Sequence, residues 1–151
     1  MRVEAKNNTM PHSDLIFIED NTDYTMWSEK NLPIPEKADG VLANFAVLNC
    51  ISSIESFFEK ISLIIGKHGC LVITIIDPRL GAMVKNYSLI AVARLFISGR
   101  LRILNQYHGV YHSTFIHSVN SLKRASVKYF NLNSYVPLKE SSFTVLIFER
   151  K

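Results

Sequence analysis

Apolar residues in the middle of the chain form runs of two kinds, and each kind predicts one type of element. Residues 41–45 read Val-Leu-Ala-Asn-Phe, within an apolar run that continues to Leu48. Continuous apolar character is typical of a strand that is covered on both faces. Residues 71–76 form a second run, rich in β-branched side chains, and predict another buried strand.

Between these two strands, apolar side chains recur at helical spacing and predict an amphipathic helix that covers a sheet. Ser52 stands three positions before Glu55, which is the spacing of a capping box. Gly66 stands where a left-handed residue commonly ends a helix. The apolar stripe consists of Ile54, Phe57, Phe58, Ile61, Ile64 and Ile65.

Further strands are predicted near residues 15–18, 127–132 and 143–149. A hairpin would join the last strand to its predecessor, so we expect these two strands to be antiparallel. Alternation of strands and helices predicts an α/β fold, in which ligands bind at the carboxyl ends of the parallel strands.

Length and composition predict one globular unit, since the 151 residues are 48% hydrophobic and 20% charged. The apolar runs are shorter than the roughly 20 residues that span a bilayer, and the N-terminus lacks a signal core. We therefore expect a cytoplasmic protein without membrane contact. The two cysteines lack the C-x-x-C spacing of a zinc or redox site.

Charge is distributed unevenly along the chain. Residues 1–78 have 6 Lys and Arg against 11 Asp and Glu, whereas residues 79–151 have 11 against 2. A basic half can attract nucleic acid, an anionic membrane surface or a phosphorylated substrate. The basic residues are spaced rather than clustered, so a solvated face is the other interpretation.

Residues 79–98 contain more apolar side chains than one sheet-facing stripe requires. They predict a helix that is either deeply buried or part of a pocket or dimer contact.

Residues 105–112 combine tyrosines and histidines at a predicted turn and are the best candidates for substrate contact. His108 and His112 have i, i+4 spacing, but Gly109 disfavours a helix there, so no metal site is predicted.

The order of elements resembles class I S-adenosylmethionine-dependent methyltransferases. Residues 39–49, the Gly-Lys-His-Gly sequence at 66–69 and the strand ending in Asp77-Pro78 look like that family's fourth and fifth strand units. Residues 15–21 resemble its third strand and acidic turn, and residues 143–148 resemble its final strand.

The resemblance implies a Rossmann-like sheet, mostly parallel with an antiparallel last strand and flanked by helices. It also implies that residues 79–125 form a helical insert that covers the substrate, with a helix near 113–125.

Members of this family bind the methionine part of the cofactor with a Gly-rich turn. This chain contains no G-x-G-x-G pattern. The resemblance therefore implies that residues 1–151 form one truncated domain, whose sheet is incomplete because the family's first two strands are missing. Strand 41–45 would then be an apolar edge, which natural proteins pair or cover. We expect a missing segment, a partner chain or a second copy to cover it; a repacked, degenerate domain is the alternative.

Cofactor contacts are implied only where the family's motifs match. Asp20, with Asn21 beside it, matches the acidic turn that accepts a hydrogen bond from the adenine amino group. Asn44 matches a position near the methionine and sulfonium of S-adenosyl-L-methionine, and Phe45 and Leu48 match neighbouring pocket walls. The alternatives are an exposed turn carboxylate for Asp20 and core packing for the residues at 44–48.

On the substrate side, Tyr107 and Tyr111 are candidate acceptor contacts. His108 or His112 could serve as a general base that deprotonates a hydroxyl or amine. Hydrogen bonding within the loop is the alternative for both histidines, because methyl transfer to a neutral nucleophile depends mostly on proximity and alignment.

Three functions follow from these observations. The leading hypothesis is S-adenosylmethionine-dependent methyl transfer to a small-molecule acceptor, with a missing or partner segment completing the site. The second is a non-catalytic, methyltransferase-like interaction subunit. The third is a nucleic-acid-binding module that uses the basic C-terminal half, and it ranks last because no aromatic-basic strand motif is present.

Overall fold

The computed structural model describes residues 23–34, 36–44, 47–139 and 141–151, with only the backbone of Tyr107. In chain order, the elements are β1 Ala38–Ala43, α1 Ile54–Ile64, β2 Ile65–Ile76, α2 Leu80–Asn86, α3 Leu89–Ser98, β3 Arg100–Tyr107, β4 Val110–His117, α4 Val119–Ser126, β5 Phe130–Pro137 and β6 Phe143–Arg150. Short 3₁₀ turns occupy Tyr24–Met26 and Val47–Cys50.

The main sheet has the strand order β1-β2-β6-β5. Strands β1 and β2 are parallel and are connected through α1, whereas β6 is antiparallel to both β2 and β5. Three of the four described strands therefore run in one direction and β6 runs in the other. The mixed α/β fold with an antiparallel last strand is confirmed; the strand predicted near residues 15–18 lies outside the described residues.

Helix α1 begins and ends differently from the prediction. Ser53, not Ser52, is the N-cap, and its side chain accepts a hydrogen bond from the Ser56 amide at 3.3 Å. Gly66 does not end the helix, because the chain turns directly into β2 at Ile65, whose backbone is extended. The left-handed residue of this region is His68, with φ of 64°.

Strand β2 bulges at its start. Ala38 pairs with Ile65 and Gly40 pairs with Cys70, so β2 uses three more residues than β1 over the same stretch. From Cys70 onward the pairing is regular, and the strand runs straight to Ile76. A bulge absorbs extra residues without moving the buried faces out of register.

The described residues form two hydrophobic cores. The larger core packs α1 against the main sheet, with the Phe58 ring centred 5.2 Å from Phe148 and 5.9 Å from Phe130. The smaller core packs α2 and α3 against one face of the β3–β4 pair. Its buried members are Met83, Val92, Leu95, Leu101 and Ile116.

The segment 79–125 is not helical throughout, which corrects the prediction. The expected helix over 79–98 is broken between α2 and α3, where Ser88 caps α3 by accepting from the Ala91 amide at 3.3 Å. Strands β3 and β4 form a regular antiparallel hairpin in place of the first part of the helix expected near 113–125.

The hairpin forms because backbone turns are specified at both ends. Gly99 ends α3 in a left-handed conformation with φ of 74°, which favours glycine. His108 and Gly109 also have positive φ, as a two-residue hairpin turn requires. None of the described helices combines the length and hydrophobicity needed to cross a bilayer.

Candidate functional site

The carboxyl ends of the parallel strands β1 and β2 carry polar side chains. Asn44 follows β1, and its Oδ1 accepts a hydrogen bond from the Thr74 hydroxyl at 3.0 Å. Thr74 is buried near the end of β2. The carboxyl edge of a parallel pair is where ligands bind in open α/β sheets. This edge is therefore the candidate site.

Asn49 connects three elements at this edge. Its side chain is almost fully buried, at 1% exposure. The Nδ2 group donates to the carbonyl of Phe115 in β4 at 2.5 Å, and Oδ1 accepts from the Ile76 amide at the end of β2 at 3.0 Å. Sequence reasoning missed this role; the available signal was an amide within the apolar stretch 45–51.

Asp77 follows β2 and is buried, at 2% exposure. Its carboxylate accepts hydrogen bonds from the Arg79 backbone and guanidinium, and the closest ion-pair distance is 2.7 Å. Burial acts to raise the pKa of Asp77, but the hydrogen bonds and charge of Arg79 outweigh it and lower this pKa below 3.8. Asp77 is therefore a carboxylate at neutral pH and anchors the entry to α2.

His117 ends β4 and is fully buried, at 0% exposure. The ring lies beside the backbone of Ile51 and Leu48, with which it interacts. Burial, assisted by the Arg100 charge, lowers the pKa of His117 below 6.5, although Glu55 and nearby backbone groups oppose this shift. The imidazole is therefore neutral at pH 7.

Several cavities open among the described residues. One, of about 600 Å³, includes Asp77 and Arg79 in its wall. A second, of about 390 Å³, lies between Arg79, Phe96, Asn120 and Tyr135. A third, of about 530 Å³, is named here the basic cavity. Its walls include Glu55, Arg100, Arg102, His117, Ser121 and Arg124.

The residues predicted to bind the cofactor are only partly described. Asp20, Asn21 and Phe45 lie outside the described residues. Asn44 stands at the carboxyl edge, as expected from its position after β1. Leu48 is fully buried within the larger core, where it packs rather than facing an open cavity.

The predicted substrate-side residues lie at the far end of the β3–β4 hairpin. His108 occupies the turn, and Tyr111 and His112 are exposed on β4; Tyr107 pairs with Val110 through the backbone. His112 is five residues from His117, or about 17 Å along a strand that rises about 3.3 Å per residue. The hairpin therefore separates these four residues from Asn49 and His117 at its base.

No group of three or more His, Cys, Asp or Glu residues within the described ranges is arranged to hold a metal ion. Both cysteines are free; Cys50 is exposed and Cys70 is partly buried.

No family model and no curated protein matches this chain. Solved structures do match. A protein from Listeria monocytogenes, assigned as an S-adenosylmethionine-dependent methyltransferase, is 15% identical with a TM-score of 0.68, and the match covers 100% of this chain and 76% of that one.

Two further structures match over 86% of this chain. A glycopeptide N-methyltransferase complexed with S-adenosyl-L-homocysteine is 8% identical, with a TM-score of 0.57 and 60% of its chain covered. An amino pentose methyltransferase from Micromonospora echinaspora is 10% identical, with a TM-score of 0.53 and 63% covered. The chain thus spans less than two thirds of these two proteins. At such identities the likeness concerns the fold, and this chain has the fold of the class I S-adenosylmethionine-dependent methyltransferases.

Proposed function

We propose that this chain takes part in S-adenosylmethionine-dependent methyl transfer to a small-molecule acceptor, with a segment outside the chain or a partner completing the cofactor site. The observation that carries the proposal is the strand order β1-β2-β6-β5, with the reversed β6 between two strands of the opposite direction. The methyltransferases named above share this fold.

The residues at the carboxyl edge fit one wall of a site for S-adenosyl-L-methionine. Asn44 would lie near the methionine part, with Thr74 fixing its amide. Asp20 and Asn21 would contact the adenine, and Phe45 would contribute an apolar wall, which Leu48 would support from within the larger core. Because the chain has no Gly-rich turn of the G-x-G-x-G kind, another segment would have to provide the opposite wall.

When bound, the cofactor supplies an electrophilic methyl group on a sulfonium. This chain would contribute mainly by holding the acceptor in line with that methyl group, because proximity and alignment account for much of the barrier in such transfers. Tyr107 and Tyr111 are proposed contacts for an acceptor that extends along the hairpin to its tip. His108 or His112 is proposed as a base for such an acceptor when it must lose a proton.

Calorimetric titration of the purified chain with S-adenosylmethionine and S-adenosylhomocysteine tests the proposal. We expect micromolar binding of both compounds, at least tenfold weaker in Asn44→Ala and in Asp20→Ala. Asn133→Ala is the matched control, because Asn133 is exposed on β5 and far along the chain from the proposed site. A folded chain that binds neither compound, alone or with a Gly-rich partner segment added, would refute the proposal.

A second candidate, a non-catalytic interaction subunit, is favoured by exposed apolar side chains on α3. Leu89 is 76% exposed and Ile97 is 86% exposed. Leu42 of β1 is also exposed, and β1 is the edge of the main sheet in the described part of the chain. Light scattering over a range of protein concentrations distinguishes this function, which requires stable association with itself or with a complete methyltransferase. Nucleic-acid binding by the basic C-terminal half stays a prediction that rests on charge alone.

A further inference from the structure

The two faces of the β3–β4 hairpin differ in chemistry. Residues directly opposite in an antiparallel pair share a face, and side chains alternate along each strand. One face presents Leu101, Ile103 and Ile116 to the smaller core. The other face carries Arg100 opposite His117 and Arg102 opposite Phe115. This second face turns towards the basic cavity rather than towards a hydrophobic core.

The guanidinium groups of the hairpin are held in place by short-range contacts. Arg100 donates to the Ser52 carbonyl at 2.5 Å and lies 5.4 Å from the centre of the Phe115 ring. Arg102 donates from Nε to the Ser113 hydroxyl at 3.0 Å. Each contact uses only part of a guanidinium group, which has five N–H donors. Donors therefore remain for a ligand.

Arg124 lines the cavity from α4. The contact between Gly99, at the end of α3, and the start of α4 is named here the Gly99 joint. The Gly99 carbonyl accepts hydrogen bonds from the Ser118 amide at 2.9 Å and the Ser121 hydroxyl at 2.8 Å. A side chain at Gly99 would meet the Ser121 Cβ at 2.9 Å, so only glycine permits this approach. Three arginines from two elements therefore converge on one cavity.

Charge in the basic cavity is unbalanced. Among its described lining residues, Glu55 is the single carboxylate, and none of the three arginines is within ion-pair distance of a described acidic group. His117 borders the cavity but is fully buried, and its ring interacts with the backbone of Ile51 and Leu48. The three exposed arginines are therefore the groups open to a ligand.

We propose that the basic cavity binds the anionic group of a small molecule, a phosphoryl or carboxylate group, through the exposed side chains of Arg100, Arg102 and Arg124. Planar guanidinium groups match both anions with paired hydrogen bonds. A volume of about 530 Å³ suits a small molecule rather than a polymer. This binding is measured without a methyl donor, so it does not depend on the proposed methyl transfer.

Calorimetry at low ionic strength tests the site with inorganic phosphate and with succinate, against sodium chloride at equal ionic strength. We expect one of the two anions to bind, and the tighter one identifies the phosphoryl or carboxylate preference. Arg102→Gln combined with Arg124→Gln should weaken binding at least tenfold. Arg94→Gln removes one positive charge, as Arg124→Gln alone does, but from an exposed position on α3, and it should change affinity less than twofold.

Arg124→Gln alone provides a second variant that leaves the Arg102–Ser113 contact intact, and thermal unfolding confirms that each variant is folded. Imidazole resonances give an independent readout, because an anion near His117 favours the charged ring and should raise its pKa. His112, exposed at the hairpin tip, should not respond. The proposal is overturned if neither anion binds better than chloride or if Arg94→Gln weakens binding as much as the double variant. It is also overturned if the pKa of His117 does not change when the anion is added.

Discussion

The sheet with α1 and the segment from α2 to β4 bury their side chains in contrasting ways. The first region has the larger core, which is centred on Phe58, Phe130 and Phe148. The second has a small core and leaves Leu89 and Ile97 largely exposed. Both regions are rich in apolar residues, but only the first uses most of them to stabilise itself.

This difference separates the region that buries most of its apolar side chains from the region that leaves apolar and basic side chains exposed. Large side chains in the main core contribute about 3–5 kcal/mol each by burial and packing. The α2–β4 segment instead directs arginines into a cavity and leaves apolar side chains available for contact. Substitutions in the two regions should therefore have different effects on the free energy of unfolding.

The largest expected effect is that of Phe58→Ala in the main core. Removing this fully buried ring from between Phe130 and Phe148 should reduce the free energy of unfolding by about 4 kcal/mol, measured by urea denaturation. Leu95→Ala in the smaller core should cost about 2.5 kcal/mol. If Leu95→Ala reduced the free energy of unfolding as much as Phe58→Ala does, the smaller core would stabilise the chain as much as the main core.

Asn49→Ala should disconnect the two regions. It removes the side chain that binds Phe115 and Ile76, leaving a buried carbonyl and a buried amide without partners. Unpaired buried groups cost about 1–3 kcal/mol each, so the expected loss is about 3 kcal/mol. Hydrogen exchange should increase first in β4. Asn133→Ala removes an exposed hydrogen bond to Glu149 and should cost under about 1 kcal/mol; similar losses for both variants would contradict the connecting role of Asn49.

Gly99→Ala tests the joint that brings α3 and α4 together. Positive φ and the close approach to Ser121 should destabilise the variant by about 2 kcal/mol. Gly81→Ala is the matched control, because Gly81 lies in α2 with open space around it and should gain about 0.5 kcal/mol. Thermal unfolding of both variants measures this contrast, and a neutral Gly99→Ala would show that the joint can relax.

The smallest expected effect is the pH dependence that His117 contributes. Its pKa in the folded chain is lower than 6.5, so the unfolded chain takes up a proton first as the pH falls. Stability should therefore decrease from about pH 6.5 downward, until the folded-state pKa of His117 is passed. Glu55 and Arg100 face the same ring and act in opposite directions.

Urea denaturation at several pH values, in the parent chain and in His117→Gln, isolates this contribution. The variant should lose the slope just below pH 6.5. It should keep the slope at lower pH, where Asp77, whose pKa is lowered below 3.8, becomes protonated. An unchanged slope near pH 6 in His117→Gln would exclude His117 as its source.

Sequence reasoning predicted the strands of the main sheet better than the segment that follows them. The runs at 41–45, 71–76 and 143–149 correspond to β1, β2 and β6, because a buried strand requires a local, continuous apolar pattern. The β3–β4 hairpin was missed: its strands are polar on one face, and the left-handed His108 in its turn is not a glycine.

The sequence by itself determined the strands β1, β2 and β6 of the main sheet, the antiparallel last strand and the apolar face of α1, since each depends on neighbouring residues or on spacing along the chain. Only the tertiary structure decided which distant residues meet. Asn49 bonds to Phe115 across 66 positions, and the arginines of β3 and α4 converge through the Gly99 joint. Such contacts depend on how packed elements are placed in space, and no local pattern encodes that placement.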